Sequence, residues 1–255
     1  MKPRRVDRPL ALYGKGKLGK LAKEIFSELK IRPAYVMDKT CSFDGLPKDV
    51  LLAICVATEP YSVVTAPLYK AGWNDIVPVW EIVEAYPRIG LNNGWTAGKF
   101  GIKDERKIRS LYWDDALSYS HYNAFLNWRG YRQFPEDYLL QGCRRCLLST
   151  LKDIRGRQRV VYFDDAPMKR VEVHCEGHEA VTLKENIYLF QKYRPKIDVA
   201  CYHSRDGLWK IQRFLMDNLT DYEFTFRMYA YCGQGAYLHC IPKGRKSEAL
   251  TEEKE

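Results

Sequence analysis

The twenty-nine residues from Leu10 to Asp38 leave this chain few folds to choose from. Leu10 to Tyr13 is a short β-type run, and Gly14-Lys-Gly16-Lys-Leu-Gly19 follows at once. Leu18, Leu21, Ile25, Phe26 and Leu29 then recur at helical spacing, and Ala34 to Met37 reads as a second strand ending at Asp38. A helix directly between two adjacent strands must cross over the sheet, which makes the strands parallel. Strand, G-x-G-x-x-G, helix, strand and acid together form a dinucleotide-binding fingerprint, with Asp38 nineteen residues after Gly19. In that pattern Gly14 permits the tight turn, Gly16 lets a phosphate approach the backbone, and Gly19 allows close packing of helix on strand. Unpaired N–H groups at the helix start suit an anion, and Asp38 suits ribose hydroxyls. The expected ligand is a nucleotide or dinucleotide. The other reading is a Rossmann-like unit that keeps these glycines for folding alone.

The pattern continues. Leu51 to Ala57 is an unbroken apolar run, as in a buried parallel strand. Helix Pro60 to Ala71, strand Asp75 to Pro78 and helix Val79 to Tyr86 follow. Residues 1–90 therefore read as a Rossmann-like, nucleotide-binding-type domain, and the Gly/Asn-rich stretch Gly90 to Gly98 marks its boundary.

A second strand–helix–strand unit spans Val171 to His203. Val171 to Cys175 alternates, Leu183, Ile187, Leu189, Phe190 and Tyr193 have helical spacing, and Ile197 to Tyr202 is again β-type. The carboxyl ends of parallel neighbours face a ligand crevice. His174 and His203 close the two strands, and Glu176 follows the first. The three are candidate acid/base groups, since imidazoles titrate near neutrality. The alternative is that they are hydrogen-bonded strand-end residues.

This stretch also carries a family resemblance. VEVHCEGHE resembles the segment IKIDVEGHE of FkbM-type S-adenosylmethionine-dependent methyltransferases, and RPKIDVACYHSRDGLWKIQRFL resembles the segment that follows it there. DYEFTFRMYAYCGQGAYLHCIP resembles the family's closing hairpin. Residues 91–150, with Asp115, Ser118 and Trp128-Arg129, resemble the helical linker ahead of that core. The resemblance implies an α/β fold. A Rossmann-like parallel sheet and a helical linker lead to a partial class I methyltransferase-like domain (151–242) that ends in a β-hairpin. Residues 243–255 form a charged tail. It implies methyl transfer from S-adenosylmethionine to a sugar, metabolite or peptide. Only 21 residues separate Tyr138 from Val160, whereas two βα units need roughly 60–80 at usual element lengths. The cofactor-holding front of such a core is therefore missing, and the family's Lys and Asp are replaced by Glu172 and His174. The alternative is a non-catalytic accessory protein, binding a nucleotide or pairing with itself or a complete homologue through an open sheet edge.

Composition excludes other classes. No apolar run reaches membrane length, and the basic start is broken at Gly14 and Lys15, unlike a signal peptide. Eight cysteines are too sparse for a disulfide scaffold, so a cytoplasmic setting is expected. The net charge of +9 suits an anionic partner, but no nucleic-acid-binding pattern accompanies it, so no nucleic-acid partner is expected. Cys143-x-x-Cys146, with His174, Cys175 and His178, lacks a second spaced pair, so no metal site is expected.

Overall fold

The computed structural model describes residues 3–86, 102–127, 159–163, 170–175, 177–229 and 235–244. The chain divides into two compact units, one ending at Leu91 and the other, for the described residues, starting at Ile102. No helix among the described residues is long and apolar enough to cross a membrane.

The first unit contains β1 (Leu10–Tyr13), α1 (Lys17–Glu28), β2 (Tyr35–Met37) and β3 (Leu51–Ile54). Then come α2 (Tyr61–Lys70), β4 (Ile76–Pro78) and α3 (Val79–Glu84). The four strands are parallel in the order β2-β1-β3-β4. Every residue of β1 and β3 is buried, as central parallel strands covered on both faces should be. Helix α1 turns Gly19, Ala22, Ile25 and Phe26 inward at three- and four-residue steps. Trp73 fills the space below: its indole N–H donates to the Tyr35 hydroxyl at 3.0 Å, and Lys48 Nζ lies 3.3 Å from its ring centroid. The strand order reverses at β1, which puts the ligand crevice of such a sheet at the carboxyl ends of β1 and β3.

The second unit contains α4 (Ile102–Arg109), α5 (Ala116–Leu126), β5 (Arg159–Phe163) and β6 (Arg170–His174). It continues with α6 (Glu179–Tyr193), β7 (Lys196–Ala200), a 3-10 turn (Arg205–Leu208), α7 (Lys210–Asn218), β8 (Tyr222–Met228) and β9 (Ala236–Pro242). Its sheet has the order β5-β6-β7-β9-β8. Strands β6 and β7 are parallel, with α6 as the crossover. Helix α6 ends at Arg194, a left-handed residue at φ 49°, whose guanidinium donates to the Asp221 carbonyl. Tyr222, Phe224, Phe226 and Met228 are all buried, and the residues between them face the other way, so the alternation in the sequence is the alternation of the strand.

Two features define the edges of this sheet. First, a class I core would set a parallel strand with a glycine turn beside β6. Here the neighbour is β5, and it runs antiparallel, with Arg159 opposite His174. Second, the sheet edge at β8 is not open. Helix α5 runs along it, and the Asp114 carboxylate, the Ser118 hydroxyl and His121 Nδ1 accept the N–H groups of Phe224, Phe226 and Met228 at 2.6, 2.8 and 2.9 Å. Arg227 ties the same faces together through Asp115. The helices read as a linker thus belong to the second unit.

Candidate functional site

In the first unit the glycine loop separates residues the fold needs from one it does not. Gly14 sits at φ +120°, and a Cβ there would lie 2.6 Å from the Cys55 carbonyl oxygen. A Cβ on Gly19 would lie 1.9 Å from the Gly14 carbonyl oxygen. These two glycines are required by the turn and by helix–strand contact. Gly16 is different: its φ is −70°, and a Cβ on it would meet no atom within 4 Å. It precedes α1 without any side-chain cap, so the first N–H groups of the helix are directed at the loop. Asp38 lies past the end of β2. Its carboxylate accepts the Thr40 hydroxyl and N–H at 2.6 and 3.0 Å, and these bonds hold its pKa below the usual carboxylate range. Lys15 Nζ lies 3.8 Å from Asp38 and 2.9 Å from Cys41 Sγ. The loop thus carries a cation and a carboxylate at one rim, beside the start of α1.

In the second unit His174 ends β6, while β7 stops at Ala200, three residues short of His203. The structure brings both imidazoles together, with ring centroids 4.5 Å apart. Glu176 lies outside the described residues, as do Cys143 and Cys146. Glu179, the first residue of α6, takes the central place. It is 1% exposed, its carboxylate accepts the N–H groups of Cys175 and Gly177 at 3.0 and 2.9 Å, and it meets His203 Nδ1 at 2.5 Å. Burial alone would raise its pKa, but the bonds from His203 and the backbone lower it, so the carboxylate stays ionised. His203 is itself 6% exposed. The pair therefore fastens the start of α6 to the loop after β7. Nothing in the local sequence marks Glu179 as the residue that takes this place.

His174 has the more open position. Its Nδ1 pairs with the Tyr237 hydroxyl at 2.9 Å, and its Nε2 is buried without a hydrogen-bond partner among the described residues. Burial, and then the neighbouring His203, push its pKa down to about 4, so the ring is neutral at pH 7. The rings of Tyr202 and Tyr237 complete the wall. Among the described residues no group of three His, Cys, Asp or Glu side chains has the geometry to hold a metal ion.

No family model and no curated protein matches the chain. Among solved structures, the methyltransferase FkbM from Methylobacillus flagellatus KT is similar over 31% of this chain and 21% of its own, at 20% identity and a TM-score of 0.28. The chain thus spans about a fifth of that protein's length.

Proposed function

We propose that the first unit binds an adenosine-type nucleotide or dinucleotide at Gly14, Gly16 and Gly19, with Asp38 on the ribose diol and Lys15 beside the phosphates. The observation that carries this reading is Gly16. Gly14 and Gly19 answer to the fold, but no atom of the described residues lies near enough to exclude a side chain from Gly16. A glycine that the polypeptide does not need is explained by a ligand that approaches its backbone. Calorimetric titration with NAD, NADP, ATP, a nucleotide-sugar and S-adenosylhomocysteine tests it. Saturable binding of one of them is expected, and heats of dilution throughout the panel would end the proposal.

A second reading is methyl transfer to a hydroxyl of a sugar or small metabolite. The crossover β6-α6-β7 with its closing hairpin favours it, as does His174 at the strand end. S-adenosylmethionine does not fit the second unit as a class I core would hold it. The antiparallel β5 takes the place of the strand that would carry the glycine turn. Its adenosine does suit the glycine loop and Asp38. Binding of S-adenosylhomocysteine, lost in Gly16→Ala, would support this reading. A monodisperse dimer in light scattering would favour the accessory role instead.

A further inference from the structure

Four strands of the second unit carry a polar row that neither site above uses. Glu172 of β6 is in register with Asp198 of β7, Asp198 with His239 of β9, and His239 with Thr225 of β8. In-register residues on neighbouring strands share a face, so the row crosses the sheet in one line. Asp198 is 3% exposed. Its Oδ1 meets His239 Nδ1 at 2.5 Å, and its Oδ2 accepts Arg170 Nε and lies 2.7 Å from Arg170 Nη2. His239 Nε2 in turn meets the Tyr229 hydroxyl at 2.9 Å. Tyr237 stacks on the His239 ring at an interplanar angle of 16°.

The donor and acceptor roles follow from the carboxylate. Burial would raise the pKa of Asp198, but His239 and then Arg170 bring it down to about 2, so it is an acceptor at pH 7. With the His239 ring neutral, Nδ1 carries the proton given to Asp198 and Nε2 accepts from the Tyr229 O–H. An acid that orients an imidazole, which in turn accepts from a hydroxyl, is the arrangement that activates weak nucleophiles and bases. Here the hydroxyl is a phenol, half-buried at the end of β8. Tyr237 separates this relay from His174 on the same face, with the Tyr229 and Tyr237 rings 6.0 Å apart.

We propose that Asp198, His239 and Tyr229 form a proton relay in which the Tyr229 phenol is the general base for a hydroxyl-bearing substrate on the polar face of this sheet. The substrate O–H gives its proton to Tyr229 Oη as the phenol's proton passes to His239 Nε2. The substrate is left as an alkoxide, and Asp198 balances the imidazolium. Tyr229 is the group that touches substrate; His239 and Asp198 act through it.

The test is chemical reactivity, which needs no identified ligand. Methanesulfonyl fluoride sulfonylates phenols: the O–S bond forms, the S–F bond breaks, fluoride leaves, and the proton goes to the neighbouring base. The intact protein is labelled at pH 7.5, and each tyrosine is quantified by peptide mass spectrometry. Tyr229 is expected to react at least tenfold faster than Tyr188, which is 67% exposed and gives the rate of an ordinary surface phenol. In Asp198→Asn and His239→Gln this advantage should disappear while Tyr222, 4% exposed, stays unlabelled as the folding control. If Tyr229 reacts no faster than Tyr188 in the wild-type protein, the relay is refuted, whether or not the variants fold. Fast labelling that persists in a folded His239→Gln also refutes it.

Discussion

Replacing Gly16 and Gly19 by alanine, one at a time, separates the two readings of the glycine loop. At Gly19 the new Cβ would lie 1.9 Å from the Gly14 carbonyl oxygen and 2.9 Å from its carbon. That obstacle is backbone, and Gly14 cannot retreat, because its own Cα already faces the Cys55 carbonyl. Overpacking costs about 1–3 kcal/mol, more where backbone must move, and alanine returns up to about 1 kcal/mol of helix propensity. The net loss should be about 2 kcal/mol, a fall of about 10 °C in the melting of a unit of this size. At Gly16 nothing stands within 4 Å and φ is −70°, so the side chain fits. There the stiffer unfolded chain should leave stability unchanged or raise it by about 0.4–1 kcal/mol. Nucleotide affinity should nonetheless drop by about tenfold or more, ~1.4 kcal/mol, because the methyl group occupies the approach to the backbone. Differential scanning calorimetry with and without the nucleotide found by titration measures both. The reasoning fails if Gly16→Ala binds that nucleotide as tightly as the wild type, or if Gly19→Ala melts at the wild-type temperature.

Three further outcomes are expected. Ser118→Ala strands the buried Phe226 N–H and removes a contact of Arg227, so urea denaturation should show a loss of about 1–3 kcal/mol. Glu179→Ala removes the carboxylate that pairs with His203 and accepts from the N–H groups of Cys175 and Gly177, and should cost about 3–5 kcal/mol by the same assay. His174 makes stability pH-dependent: the unfolded ring takes up its proton near pH 6.5 and the folded ring only near 4. Stability from this group is therefore complete above pH 6.5 and declines as the pH falls toward 4, by about 3 kcal/mol in all. His174→Phe should flatten the urea midpoint between those pH values, and a slope equal to that of the wild type would contradict the burial described for the ring.

Much of the architecture was legible because it is local. The three glycines, the helical spacing from Leu18 to Leu29 and the alternation from Tyr222 to Met228 each encode one element through one periodicity. The crossover between β6 and β7 was legible for the same reason. The direction of β5 was not: the run Val160 to Phe163 would be apolar in either orientation, and only its partner sets its sense. The covering of β8 was hidden too: Ser118 reads as part of a linker helix, and Asp114 and His121 give no signal until the strand 110 residues after Asp114 is laid beside them. At the site, the sequence points to His174 and His203 as strand-end residues, and β7 stops short of the second; the place of Glu179 between them gives no local signal. The Asp198–His239–Tyr229 line was also missed, because it is made by register between strands distant in the chain.

The flank of the second sheet along β8 has a consequence for the protein at high concentration. Its amide hydrogens are already taken by a carboxylate, a hydroxyl and an imidazole, none of which offers the repeating pattern that a further strand requires. Fibril growth or strand exchange between molecules cannot be templated there while α5 stays in place. Loosening that helix, as Ser118→Ala would begin to do, should expose those amides and favour self-association.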